Sequence, residues 1–283
     1  MYLGIAGYFS TRLHEQQGKA EQLAHLLLDR RWPWRLESVV FGLRVAWDKR
    51  SRRVKLAGKD AYKRLSEGMV NPEHREAVLD HRASADENHA RLAVDTGQRF
   101  AGASLPNPAE ITSIVKGSGL STTADLRSWI EVMHQIMLAV DVANAVISPW
   151  PTERMASSDA TFGGTVIDSP AGVKDLGVTK SFALQNTRAN YWRHELGNKY
   201  IRHPRWGTYL RRSHLDQVGG LERIRSTVSL ARVLDLGGAG DLVYLQCTEH
   251  PEGAMTVEGE GVRRALEEVL APIVAPPRPQ EQG

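Results

Sequence analysis

Residues Ala231–Cys247, ARVLDLGGAGDLVYLQC, decide the fold. Two apolar runs, Ala231–Leu236 and Asp241–Cys247, flank Gly237-Gly238-Ala239-Gly240. A glycine loop that binds a dinucleotide follows a strand and opens a helix whose N-terminus faces the pyrophosphate. Here the loop leads into DLVYLQC, which reads as a strand. The glycines therefore form the turn of a β-hairpin. The expected architecture is α+β: a mixed, largely antiparallel sheet with helices packed against it.

Outwards from the hairpin, Trp206–Leu210 reads as a strand or tight turn. Arg211-Arg212-Ser213 opens a helical segment that stops at Gly219-Gly220, and Leu221–Thr227 adds a further helical turn or two. Downstream, Gly261–Leu270 is a helix stopped by Pro272, and residues 276–283 form a polar, proline-rich, flexible tail. Upstream, the longest predicted helix runs from Thr123 to Ile147. Leu126, Trp129, Ile130, Met133, Ile136, Met137 and Val140 recur at helical spacing, and Ser148-Pro149-Trp150-Pro151 ends it. These Met and Trp side chains read as core.

The N-terminal part predicts a strand at Tyr2–Phe9, a helix at Thr11–Asp29 and a strand at Ser38–Asp48. A basic turn at Lys49–Arg53 leads to a short strand at Val54–Leu56, which suggests a hairpin. Ala61–Glu67 is helical, and Asn71-Pro72 breaks the chain into a polar connector that runs to Asn88. His89–Asp95 alternates as a half-buried strand. Leu105–Pro108 is a loop before a short strand or helix at Ile111–Val115, and Gly117-Ser118-Gly119 is a linker turn. Ser157–Lys180 reads as loops around one strand, Thr165–Ile167. The whole is expected to be a single domain over 1–283, divisible into two lobes of about 1–150 and 151–275.

Composition narrows the class. The chain has 283 residues, 41% hydrophobic and 24% charged, so a packed core is expected. Its 36 Lys and Arg against 33 Asp and Glu leave a net charge of only +3, a weak nucleic-acid signature. One cysteine, Cys247, excludes an internal disulfide framework. No membrane span and no secretory leader is read. A soluble protein of a reducing compartment, the bacterial cytoplasm, is the expectation.

Each candidate for chemistry meets a plainer reading. His194-Glu195 begins like a zinc-protease motif, but Asn198 stands where the second imidazole is needed. Cys247 sits mid-strand, as a buried inert thiol. No G-x-S-x-G elbow is present, and Asp168 with Lys174 makes an unconvincing nuclease pair. No catalytic residue, no metal ligand and no cofactor is assigned. Two basic clusters remain. Lys49–Lys55 reads as a solvated turn. In the second, Arg202, His203, Arg205, Arg211, Arg212 and His214 interleave with Tyr200, Trp206 and Tyr209. Such interleaving suits single-stranded nucleic acid and a protein interface equally.

Trp206, Gly207, Tyr209 and Leu210 form an aromatic-Gly-x-Tyr-Leu turn. Gly219-Gly220 closes a helix, Leu242, Tyr244 and Leu245 precede Thr248-Glu249, and Leu270, Pro272 and Ile273 form a terminal Leu-x-Pro-Ile. Ile147-Ser148-Pro149-Trp150 adds an upstream match. This pattern resembles bacterial immunity proteins of polymorphic-toxin and type VI secretion systems, most closely the immunity protein 52 family. The resemblance covers about half the chain. It implies an α+β protein that is not an enzyme and that binds and neutralises a cognate secreted toxin, a nuclease effector, by steric occlusion. The alternative is a nucleic-acid-binding protein that uses Arg202–His214.

Nuclease inhibitors often present acidic surface. Acids cluster at Glu249, Glu252, Glu258 and Glu260, and again at Asp80, Asp86 and Glu87. The toxin-facing candidates are therefore Glu249, Glu252, Glu258 and Glu260, joined by Arg205, Trp206 and Tyr209 as anchors. The expected partner is the toxin protein, with no membrane and no nucleic acid. The oligomeric state is left open.

Overall fold

The computed structural model describes residues 1–9, 13–28, 38–43, 52–56, 60–83, 88–95, 109–116, 120, 122–152, 167–169, 172–173, 200–201 and 203–274. The expectations for 44–51, 105–108, 117–119, for Asp86, Glu87, His194, Glu195, Asn198 and Arg202, and for the tail at 276–283 fall outside these residues. The described residues fold as α+β, with six α-helices and largely antiparallel sheet. They divide into two compact units.

The first unit comprises Met1–Leu3 and Gly7–Val142. It contains the ends of β1 (Tyr2–Phe9), α1 (Gln17–Leu27), β2 (Ser38–Leu43), β3 (Arg52–Lys55), α2 (Ala61–Val70), β4 (His74–Ala83), β5 (Asn88–Asp95), β6 (Ala109–Lys116) and α3 (Thr123–Ala139). Its strands lie in the order β1-β6-β5-β4-β2-β3. The pairs β2–β3, β2–β4, β4–β5 and β5–β6 are all antiparallel. β2 and β3 thus pair as the hairpin that the sequence suggests, with Ser38 opposite Lys55.

Two sequence expectations change here. Residues 74–83 form β4 rather than a polar connector. Their charges hide a period of two, in which Ala77 and Leu79 are buried. The helix predicted to Ile147 ends at Ala139, where the chain turns through Val140 and Asp141, the latter at φ 52°. Its start is as expected, with the Thr122 hydroxyl accepting a hydrogen bond from Asp125 N at 3.1 Å. Leu126, Trp129, Ile130, Met133, Ile136 and Met137 are buried, as the helical spacing predicts. Helix α1 packs on α2 and α3, and α2 packs on β4.

The second unit comprises Gly4–Ala6 and Ala143–Gly283. It holds β7 (Val142–Trp150), β8 (Ile167–Ser169), β9 (Gly172–Val173), β10 (Gly207–Arg211), α4 (Arg212–Asp216), α5 (Gly220–Thr227), β11 (Arg232–Gly237), β12 (Leu242–Gln246) and α6 (Val257–Leu270). The strand order is β11-β12-β10-β7, with β1 next in line, and among the described residues β8 pairs with β9 alone. β10 is antiparallel to both β12 and β7, and β11 is antiparallel to β12.

The glycine turn is a hairpin turn, as read. Gly237 and Gly238 take φ 66° and 81°, which a side chain would resist. All nine residues of β7 are buried, Pro149 included. A strand covered on both faces loses the alternation that marks a strand, so its apolar run reads equally as helix. β10 and β12 are buried almost throughout, and Tyr209 faces Tyr244 across them with ring centroids 4.7 Å apart. No helix among the described residues is long and apolar enough to cross a membrane.

Candidate protein-binding surface

The seven residues singled out for partner binding separate into two sets. Arg205, Trp206, Tyr209 and Glu260 are interior, at 5%, 1%, 0% and 8% exposure. Glu249, Glu252 and Glu258 are exposed. Burial removes the first four as surface anchors: a side chain already enclosed by its own chain has no area left to bury against another.

What the interior set does is hold backbone. The Trp206 indole N–H donates to the Thr248 carbonyl at 2.9 Å and lies 3.1 Å from the Thr248 hydroxyl. Gln246 Nε2 donates to the same carbonyl at 2.7 Å and to the Glu249 carbonyl at 3.1 Å. Cys247 N donates to the Trp206 carbonyl at 2.8 Å, and the Cys247 thiol to the Arg205 carbonyl at 3.4 Å. Burial pushes the Cys247 thiol up to about 12, which matches an inert sulfur. Tyr209 is also raised well above the ordinary phenol value, by burial first and Tyr244 second. His214 of the basic and aromatic cluster is fully buried as well. Trp206 and Tyr209 therefore offer no ring face on which a base could stack.

Glu260 lies in the first turn of α6 and pairs with Arg264, which reaches it from one turn along. One turn further on, Arg263 pairs with Glu267 at 2.5 Å. Burial lowers Arg263 from the usual guanidinium value, and Glu267 opposes that shift. Among the described residues no three His, Cys, Asp or Glu side chains gather as metal ligands would.

The exposed set sits on one segment that rises from β12 into α6. After Thr248 the chain makes a 3₁₀ turn, Pro251–Met255, and Thr256 then caps α6. The Thr256 hydroxyl accepts from Gly259 N at 3.2 Å and donates to the Gly253 carbonyl at 2.7 Å. Gly253 N donates to the His250 carbonyl at 3.0 Å, and the Thr248 hydroxyl donates to that same carbonyl at 2.7 Å. The helix begins at Val257, four residues before the start predicted at Gly261, because Thr256 and not a glycine supplies the cap.

Glu249 is only loosely restrained, with Arg232 4.0 Å away and its side chain 64% exposed. An ion pair at that distance and exposure is worth at most about 1 kcal/mol. Glu258, in the first turn of α6, is also favoured there by the helix dipole.

Sequence reasoning overlooked two residues of this segment. Met255 is 36% exposed and Val257 78%. The buried stripe of α6 runs through Gly259, Arg263, Leu266 and Leu270. Val257 instead shares the opposite face with Gly261, Arg264 and Glu268, all exposed. That mismatch of an apolar residue with a polar face was the available signal.

No protein-family profile matches the chain, and no curated protein matches it. Among solved structures the fold is similar to a type VI secretion system (T6SS) protein of Pseudomonas aeruginosa, PA0821. The TM-score is 0.55 at 13% identity, over 96% of this chain and 73% of that one. At that identity the likeness shows a shared α+β fold.

Proposed function

We propose that this chain is an immunity protein of a type VI secretion or polymorphic-toxin system. It binds a cognate toxin, a nuclease effector, and neutralises it by occlusion in the cytoplasm, without catalysis of its own. The observation that carries the reading is the fold likeness to a T6SS protein over 96% of the chain. The resemblance of Trp206–Ile273 to the immunity protein 52 pattern points the same way. The segment Glu249–Glu258 supplies an acidic, solvent-facing surface of the sign that suits a nuclease inhibitor.

The test is co-expression with the secreted protein encoded beside this chain. Growth rescue together with a stoichiometric complex is expected. An interface of standard size, about 1,600 Å², should give nanomolar affinity or tighter. Continued killing, or turnover of a substrate by the purified chain, overturns the reading.

A further inference from the structure

Among the described residues three large apolar or aromatic side chains are exposed: Tyr62, Met255 and Val257. Two of the three lie two positions apart, on the segment that joins β12 to α6. Residues 249–262 carry four glutamates and no lysine or arginine, in a chain whose net charge is +3. With Glu260 buried and paired with Arg264, the exposed Glu249, Glu252 and Glu258 make the segment a local reversal of sign around Met255 and Val257.

It is also rigid by construction. Its base is pinned by Trp206 and Gln246, which donate to the carbonyls of Thr248 and Glu249. Its middle is closed by the bonds among His250, Gly253 and Thr256. Its top is locked onto α6 by a contact that tolerates no side chain: a β-carbon on Gly259 would meet the Gly253 carbonyl oxygen at 2.0 Å. A surface knob held by this many bonds pays little ordering entropy on binding, so its exposed apolar area is available to a partner.

We infer that this knob is the part of the chain that seats in its protein partner, resting on the immunity reading above. Met255 and Val257 enter an apolar recess, and Glu249, Glu252 and Glu258 meet a basic rim around it. The occupant is thus a protein surface with lysine or arginine around a small apolar hollow, the sign that complements a nucleic-acid-cleaving toxin's phosphate-binding groove. The apolar pair supplies residence time. The carboxylates speed encounter, and their effect fades with salt.

The probe is the neighbour-encoded toxin with its active site inactivated, bound to the full-length chain and to three variants. Met255→Ser with Val257→Ser should weaken binding about 30-fold or more, mainly through faster dissociation. Glu252→Lys with Glu258→Lys should slow association at low salt and flatten its salt dependence. Tyr62→Ser, which changes the third exposed side chain, should bind as the parent does. Circular dichroism and melting of each variant confirm the fold. If the parent binds and the Met255/Val257 variant binds equally well, the knob is overturned while the immunity reading stands. If the parent does not bind this toxin at all, both fall.

Discussion

Gly259 lies against the carbonyl oxygen of Gly253, with no room for a β-carbon between them. Gly261, two residues along the same helix, faces open space. Replacing either by alanine raises helix propensity by about 1 kcal/mol. At 261 nothing opposes that gain, and Gly261→Ala should stabilise the protein by roughly 0.5–1 kcal/mol. At 259 the helix would have to back away from backbone, at a cost of about 1–3 kcal/mol that outweighs the gain. Denaturant midpoints should therefore move in opposite directions. A rise for both variants would mean that the contact is loose.

The Arg263–Glu267 pair is enclosed on the arginine side, where the side chain is 8% exposed. Glu267→Ala would leave a buried cation without its partner and should cost about 3 kcal/mol. Arg263→Met combined with Glu267→Leu removes both charges and should come within about 1 kcal/mol of the parent. Urea unfolding of the single and double variants separates the cases. Equal losses would show that packing, not charge, sets the cost.

Cys247 should be silent towards thiol reagents at pH 8 in the folded protein and reactive once denaturant is added. Burial raises its pKa to about 12, above the unfolded value of 9.0. Between those values the folded state holds a proton that the unfolded state has lost. Stability contributed by this group is thus intact below pH 9 and falls as pH rises towards 12. Burial raises Tyr209 and Tyr244 too, so the alkaline loss should be steep. Rapid modification of the native thiol at pH 8 would contradict the burial.

Trp206→Phe keeps the benzene ring but deletes the pyrrole ring with the N–H that reaches Thr248, leaving a small cavity at a position only 1% exposed. The Thr248 carbonyl still accepts from Gln246, so no group is orphaned, and bond and cavity together should cost about 2–3 kcal/mol. Thr248→Val removes the hydroxyl alone and should cost less than about 1 kcal/mol on the Trp206 side, with a further loss where it bonded His250. Chemical denaturation monitored by circular dichroism measures both. If Trp206→Phe were neutral, the bond at the base of the knob would be decorative.

Much of the topology was legible because short-range physics writes it into the residues. The hairpin at 231–247 follows from two apolar runs about a glycine turn, and α3 up to Ala139 follows from helical periodicity. The site was less so. Glu249, Glu252 and Glu258 were found as acids at the surface. Met255 and Val257 do not stand out, because two apolar residues beside a helix look like ordinary core. Trp206 and Tyr209 read as anchors in the sequence yet are interior, because interfaces and interiors draw on the same aromatic residues.

What depends on neighbours along the chain is written in the residues alone: the turn at Gly237-Gly238, the start of α3, and the net charge with its local reversal near residue 255. Long-range pairing and packing make residues 74–83 and 142–150 strands, and enclose Trp206 while Val257 stays exposed. Strand pairing and burial are set by partners remote in sequence. Leu210 lies opposite Asn144 on one side and Val243 on the other. No local pattern carries that information.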